Sequence, residues 1–171
     1  MSFTPLPKTF TDLCGSLDPA HSRTLELGCG DGRFHAVVSE LGLDLWGLDL
    51  APPDRGTAAD IVGDACEPPV IRGSLDLVVA ANLVRHLAAS RGNLEFMKQW
   101  LALLKPGGSL FLFEDEPDDH QPGAANYRDL QDFLKLLVPE ARGALLPVSE
   151  FLALSSTALP QVDWEHGLVR N

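Results

Sequence analysis

RTLELGCGDGRFHAVVSELG, residues 23–42, is the stretch of sequence on which the predicted fold depends. Its first five residues form a compact strand candidate, and the glycine-rich residues 28–32 follow directly. From Arg33 to Leu41 the apolar residues recur at the spacing of one helical face. Gly42 then stands where a left-handed residue commonly ends a helix. The stretch therefore predicts a strand, a glycine turn and a helix in succession.

Strands and helices alternate along the rest of the chain. Short apolar runs predict further strands at 43–48, 60–62, 75–80 and 109–113, and an edge strand at 164–170. Helical spacing predicts helices at 8–17, at 82–104 with a possible break near residues 90–92, at 127–138 and at 148–155. Such alternation implies right-handed crossovers and a mostly parallel sheet. We therefore expect an α/β fold: a three-layer, Rossmann-like sandwich with helices on both faces of the sheet. Residues 1–171 would form one domain, with an abbreviated C-terminal part.

Composition narrows the classes of partner and compartment. The formal net charge is -11 over 171 residues, and the basic residues are scattered. A nucleic-acid partner is therefore disfavoured, since such binders present a basic face to phosphates, and the acidity also argues against an anionic membrane. The three cysteines, Cys14, Cys29 and Cys66, are far apart in sequence and suggest neither a disulfide framework nor a metal site. Without a signal-peptide pattern near the start or a spanning apolar run, we expect a cytoplasmic protein.

The glycine turn is suited to ligand binding, and the spacing of its glycines distinguishes between the kinds of nucleotide ligand it could hold. Glycines let a ligand approach the main chain closely, and the following helix N-terminus attracts an anion. The dinucleotide fingerprint G-x-G-x-x-G, counted from Gly28, would require glycine where Arg33 stands, and no Gly-Lys-Ser or Gly-Lys-Thr follows as in a P-loop. A nicotinamide-dependent oxidoreductase is therefore disfavoured. A purely structural turn stays open on this evidence.

Several segments, in order along the chain, resemble the motifs of class I S-adenosylmethionine-dependent methyltransferases. TLELGCGDGRF (24–34) resembles the first motif, WGLDL (46–50) the second, and GDACEPP (63–69) the third. SLDLVVAANLVRHL (74–87) resembles the fourth-strand segment, and LKPGGSLFLFE (104–114) resembles the end of a helix and the fifth strand. The chain is thus similar to this family over roughly residues 23–115. Beyond them the resemblance fades.

The resemblance implies S-adenosylmethionine as cofactor and assigns roles to acidic residues. Asp49 would accept hydrogen bonds from both ribose hydroxyls. Asp64 would accept a hydrogen bond from the adenine amino group, and the backbone at Ala65 would contact the adenine ring. Glu26 would serve the ammonium group of the ligand, directly or through water. Each aspartate could instead be an ordinary residue at a strand end or turn. The remaining implied cofactor contacts are Gly28, Cys29, Gly30, Gly32, Leu50 and Asn82. We expect Cys29 to be a small packing residue rather than a nucleophile, since no basic partner for it is visible.

Methyl transfer needs positioning more than a dedicated catalytic group, so few catalytic residues are visible in sequence. His86 follows the fourth strand four residues after Asn82, which predicts a shared helical face, and it is our candidate general base. A structural role for His86 is the alternative. The segment 82–85, Asn-Leu-Val-Arg, departs from the Asn/Asp-Pro-Pro-aromatic tetrad of relatives that methylate nucleobase amino groups. The acidic run 114–120 could bind a cationic acceptor or metal, but a solvated loop is the commoner reading.

These observations favour a methyltransferase that acts on a small molecule, with a protein acceptor as the less favoured case. A non-catalytic S-adenosylmethionine-binding or scaffold protein with the same fold is the alternative, because the C-terminal part is short. The sequence is compatible with three kinds of acceptor site: a shallow one, one completed by the second subunit of a homodimer, or none. We predict no resident metal.

Overall fold

The computed structural model describes residues 8–84, 86–87 and 94–113. In chain order, these residues form helix α1 (Lys8–Ser16), strand β1 (Thr24–Leu27), helix α2 (Arg33–Ser39), strand β2 (Trp46–Asp49), a 3-10 turn (Pro53–Arg55), strand β3 (Ile61–Val62), strand β4 (Leu75–Ala81), helix α3 (Phe96–Leu103) and strand β5 (Leu104–Phe113). Within this described part no helix is long and apolar enough to cross a membrane. The alternation of strands and helices expected from the sequence is confirmed.

The strands form a five-stranded parallel sheet in the order β3-β2-β1-β4-β5. β1 lies at the centre, and the chain moves outward from it on one side through β2 and on the other through β4. The boundary between β1 and β4 is therefore the point where the strand order reverses. Ligands of open α/β sheets bind outside the carboxyl ends of the strands at such a point. The glycine turn follows β1 there.

Helices cover both faces of the sheet. On one face α1 and α2 bury Phe10, Cys14, Phe34 and Val38 in a cluster that includes Leu77 and Val79 of β4. Residues Phe10, Leu13 and Cys14 show the helical spacing that creates this apolar side of α1. Because β2 and β5 lie on opposite sides of the central pair, right-handed crossovers place α2 and α3 on opposite faces. The three-layer arrangement expected from the sequence is confirmed.

Several predicted starting points were wrong, and the second strand, expected from Leu43, begins at Trp46. The fifth strand was expected to begin at Ser109, but β5 begins at Leu104, directly after α3. Pro106, Gly107 and Gly108 lie inside β5, where the pairing with β4 shifts register between Leu75 and Leu77. Gly107 has a φ of 82°, which glycine adopts without steric cost, so the extra residues form an irregularity within the strand rather than a break.

The helix predicted from residue 82 also begins later than expected. Asn82 has a φ of 55° and lies outside the helix. The backbone N–H groups of His86 and Leu87 both donate to the Leu83 carbonyl, at 3.0 and 3.1 Å. The helical spacing argument for Asn82 and His86 is therefore wrong, because only His86 is in helical conformation.

The described residues fall into two compact units. Residues 8–81 and 95–113 belong to the first, and residues 82–84, 86–87 and 94 belong to the second. In the second unit Val84 and Leu94 are buried. A single domain over 1–171 stays a prediction. The helices predicted at 127–138 and 148–155, the strand predicted at 164–170 and the acidic run 114–120 lie outside the described residues.

Candidate functional site

The glycine turn connects β1 to α2 through three left-handed glycines. Gly28, Gly30 and Gly32 have φ values of 67°, 53° and 76°. The N–H groups of Gly28 and Cys29 both donate to the Leu48 carbonyl of β2, at 2.7 and 3.1 Å. Residues with a Cβ rarely adopt these conformations, so the glycines permit a turn that folds back on the neighbouring strand.

The space around the turn differs from one glycine to the next. A Cβ added at Gly32 would lie 2.5 Å from the Cβ of Ala58, so this glycine permits close packing against the chain that leads to β3. A Cβ added at Gly30 would meet no heavy atom within 4 Å. The backbone at Gly30 therefore borders open space, as a main chain that receives a ligand requires.

Asp49 joins the turn to the end of β2. Its Oδ2 accepts a hydrogen bond from the Gly30 N–H at 2.9 Å, and its Oδ1 accepts one from the Ala51 N–H at 3.0 Å. A carboxylate has about four lone-pair positions, so each oxygen can accept one further hydrogen bond. Next to it, the Leu50 side chain is 75% exposed and offers an unpacked apolar surface. The two side chains suit a sugar with adjacent hydroxyls and a flat apolar ring.

Asp64 and Ala65 follow β3 and are held by α3. The Oδ1 of Asp64 accepts a hydrogen bond from the Cys66 N–H at 2.8 Å, which fixes the turn. Behind it, the Nε1–H of the fully buried Trp100 donates to the Ala65 carbonyl at 2.6 Å. The sequence did not identify Trp100 as relevant to this turn. Its position in an apolar helix gave no sign that the indole N–H would reach a loop 35 residues earlier.

Glu26 is buried and has a partner that the sequence analysis missed. The side chain is 2% exposed, and its Oε2 lies 3.0 Å from the Nε2 of His35 in α2. The two atoms are within ion-pair distance but are not aligned as a hydrogen bond. Burial raises the pKa of Glu26, and contact with that carboxylate raises the pKa of His35. His35 thus supplies the counter-charge that a buried carboxylate needs.

Gly47 makes room for this pair. It lies beside Glu26 in the register of β1 and β2. A Cβ at Gly47 would come within 2.6 Å of the Ala58 carbonyl oxygen, 2.8 Å of the Cys29 Sγ and 2.9 Å of the His35 Cε1. A glycine inside a strand often marks such a close approach, so Gly47 within the predicted second strand was the signal in the sequence for a tightly packed pair at this point.

Cys29 is not a nucleophile in this arrangement. Its side chain is 5% exposed. Burial, together with the carboxylates of Glu26, Asp49 and Asp60, raises the pKa of its thiol to about 12. Because the thiolate is the reactive form, the protonated Cys29 acts as a small packing residue, as the sequence analysis expected.

Asn82 and His86 belong to the second unit. Asn82 is left-handed at the end of β4, and the His86 side chain is exposed. The donor role of Asn82 and the base role of His86 stay predictions.

The described residues contain no group of three metal-ligating side chains. A groove of about 360 Å³ lies between the loop after β3 and α3. It is lined by Glu67, Pro68, Val70, Arg72, Gln99 and Leu103. None of the residues implied as cofactor contacts lines it, so the groove does not mark the site built around the glycine turn.

Known proteins and a family model resemble this chain. A family model described as a methyltransferase domain matches residues 25–112. A ubiquinone biosynthesis O-methyltransferase from Xanthomonas axonopodis pv. citri (strain 306) is 30% identical over 108 residues, covering 56% of this chain and 44% of that protein. A tRNA (carboxymethyluridine(34)-5-O)-methyltransferase from Mus musculus is 27% identical over 100 residues, covering 56% of this chain and 15% of that protein. The chain thus spans less than half the length of these relatives.

Solved structures show the same fold. The trans-methyltransferase CalH, in complex with SAH, superposes with a TM-score of 0.59 at 24% identity, covering 87% of this chain and 47% of that one. The family model spans the glycine turn, Asp49, Asp64 and the strands that position them. The chain therefore belongs to the class I S-adenosylmethionine-dependent methyltransferase family.

Proposed function

We propose that this chain transfers a methyl group from S-adenosylmethionine to a small molecule. The observation that carries the proposal is the junction of Asp49 with the glycine turn, where the carboxylate accepts the Gly30 N–H and keeps lone pairs for further donors. Family membership supplies the donor chemistry that suits this junction.

The residues of the first unit fit the donor molecule. Asp49 would bind the ribose hydroxyls, the exposed Leu50 would pack on the adenine, and Asp64 with the Ala65 backbone would bind the adenine edge. The open side of Gly30 leaves room for the amino-acid part of the donor. When bound, S-adenosylmethionine supplies an activated methyl group on a sulfonium. The protein then has to hold the acceptor in line with that methyl group.

Titration with S-adenosylhomocysteine tests donor binding. Asp49→Asn keeps an oxygen for the Gly30 N–H but replaces the other acceptor with an NH₂ group. Hydrogen bonds to charged groups contribute about 1.5–3 kcal/mol, so we expect the affinity to fall by at least about tenfold. Asp54→Asn is the matched control, because Asp54 is exposed in the 3-10 turn. Equal affinities for both variants and the wild type would contradict the proposed ribose contact.

A small hydroxyl-bearing acceptor is the acceptor class that we favour. One relative carries the name of an O-methyltransferase of ubiquinone biosynthesis, and the net charge of -11 disfavours a polyanionic acceptor. The relative named for tRNA makes nucleic acid the competing outcome. Incubation with donor labelled on the methyl group, once with a panel of small phenols and once with tRNA, separates the two. Label in tRNA alone would overturn the small-molecule assignment.

We propose His86 as the general base for such a hydroxyl. His86→Ala should lower turnover while leaving the affinity for S-adenosylhomocysteine unchanged. Equal turnover would assign His86 a structural role. A protein that binds S-adenosylhomocysteine but labels no acceptor would instead be the non-catalytic scaffold.

We also propose a reducing, cytoplasmic setting. The cysteines Cys14, Cys29 and Cys66 are all buried and free. Buried free thiols are typical of proteins that are kept reduced.

A further inference from the structure

The buried pair of Glu26 and His35 has an unusual environment. The Glu26 Oε2 and the His35 Nε2 lie 3.0 Å apart, with side chains 2% and 18% exposed. Neither atom has an aligned hydrogen-bond partner. The carboxylate oxygen can therefore still accept a hydrogen bond, and the imidazole offers it a charge rather than a well-directed bond.

The pair joins the two elements that flank the glycine turn. Glu26 is two positions before Gly28 in β1, and His35 is in the first turn of α2. The ring of His35 occupies the space that the missing side chain of Gly47 leaves. The backbone on both sides of the turn thus fixes the two side chains against each other.

The surrounding titratable groups favour a charged imidazole. Besides Glu26, Asp60 ahead of β3 acts on His35, and Asp49 at the end of β2 acts on Glu26. Cys29 of the turn stays protonated and adds no charge. Glu26 and Asp60 raise the pKa of His35 although partial burial opposes them. A proton on His35 is consequently held at pH values where an isolated histidine would already lose it.

We propose that His35 is a positioning residue for Glu26, and that the ammonium group of the bound donor competes with the His35 imidazolium for the Glu26 carboxylate. This inference rests on the proposed donor binding. When the ammonium group arrives beside the pair, the Nε2–H proton of His35 leaves to solvent. The site then has the same net charge as before, with the ligand cation in place of the imidazolium. Donor binding therefore releases a proton.

The competition determines the direction in which donor affinity changes with pH. The ligand cation disfavours protonated His35, so the affinity for the donor rises as the pH increases through the pKa of His35 in the free protein. A fall of about one unit in that pKa on binding corresponds to about a tenfold difference in affinity between the two protonation states. At pH values well above the pKa of the free protein the release of a proton disappears.

Calorimetric titration with S-adenosylhomocysteine in phosphate and in Tris at pH 7 measures the number of protons released. We expect a release for the wild type and none for His35→Gln, whose amide still holds Glu26 but does not titrate in this range. The ligand control is 5′-methylthioadenosine, which lacks the amino-acid part. We expect it to bind the wild type without releasing a proton.

Proton NMR of the imidazole rings gives a readout independent of turnover. The His35 resonance, assigned by its absence in His35→Gln, should titrate with a lower pKa in the presence of S-adenosylhomocysteine than in its absence. Binding without proton release, or equal release for both ligands, would overturn the inference and leave donor binding intact. If His35→Gln does not fold, the inference is tested on the wild type alone, by comparing the protons released on binding S-adenosylhomocysteine with those released on binding 5′-methylthioadenosine. Failure of S-adenosylhomocysteine to bind at all would overturn the proposed function and this inference with it.

Discussion

Substitution of Gly47 by alanine tests the packing beneath the glycine turn. The added Cβ would lie 2.6 Å from the Ala58 carbonyl oxygen, 2.8 Å from the Cys29 Sγ and 2.9 Å from the His35 Cε1. The backbone at Ala58 cannot move away easily, because its N–H donates to the Gly30 carbonyl at 2.7 Å. Relief of the contact therefore requires displacement of the turn itself.

The change in the free energy of unfolding caused by Gly47→Ala follows from two opposing effects. Overpacking of a well-packed site costs about 1–3 kcal/mol, and contact with fixed backbone places Gly47→Ala in the upper half of that range. Loss of glycine's conformational freedom in the unfolded chain returns about 0.5–1 kcal/mol. The net loss is about 1–2.5 kcal/mol, which lowers Tm by about 2–10 °C for a chain of this length.

Gly15→Ala is the matched control. Gly15 lies in α1, without a positive φ, and a Cβ there meets nothing within 4 Å. The same chemical change should therefore raise the free energy of unfolding by up to about 1 kcal/mol.

Thermal and urea unfolding of the two variants and the wild type provide the measurement. A Tm for Gly47→Ala equal to the wild-type value, or raised as in Gly15→Ala, would refute the packing argument. Because the clash includes His35, we also expect weaker binding of S-adenosylhomocysteine by folded Gly47→Ala, and unchanged binding by Gly15→Ala.

Three further predictions concern single side chains. Trp100→Phe removes the indole N–H that donates to the buried Ala65 carbonyl and should lower the free energy of unfolding by about 1–3 kcal/mol. The control Trp46→Phe, at a 62% exposed site, should change it by less than about 0.5 kcal/mol, and similar losses for both variants in urea unfolding would argue against the indole bond. The raised pKa values of Glu26 and His35 both stabilise the folded state at low pH, and for His35 this contribution is complete below its ordinary value of 6.5 and is lost as the pH rises through the higher value in the folded protein. The free energy of unfolding should accordingly decline above pH 6.5 more steeply for the wild type than for His35→Gln, and parallel profiles would contradict the pairing. Burial raises the pKa of the Cys14 thiol to about 11 and that of Cys29 to about 12. Both should therefore resist alkylation by iodoacetamide at pH 8 until the protein is denatured. Alkylation of either cysteine in the folded protein, detected by mass spectrometry, would disprove their burial.

The amino-acid sequence determined the layout of the fold because that layout follows from local pattern. The strand patterns at residues 24–27 and 75–81, the helical spacing after Arg33 and the glycines of the turn each express a short-range preference. Asp49 could be placed beside the turn for the same reason, since consecutive parallel strands bring their carboxyl ends to one edge of the sheet. The boundary prediction failed where glycine allows two backbone solutions, as at Gly107, which continues a strand instead of ending a helix.

Only the tertiary structure decided which side chains meet across elements. Glu26 could be placed in the first strand, directly before the glycine turn, but nothing local distinguishes His35 from any other residue early in α2. The contact depends on the crossover from β1 to β2 and on the space that Gly47 leaves. The bond from Trp100 to Ala65 likewise joins elements that are 35 residues apart in the chain. Sequence pattern specifies which face of an element is buried, whereas the partner on that face is set by how the elements pack.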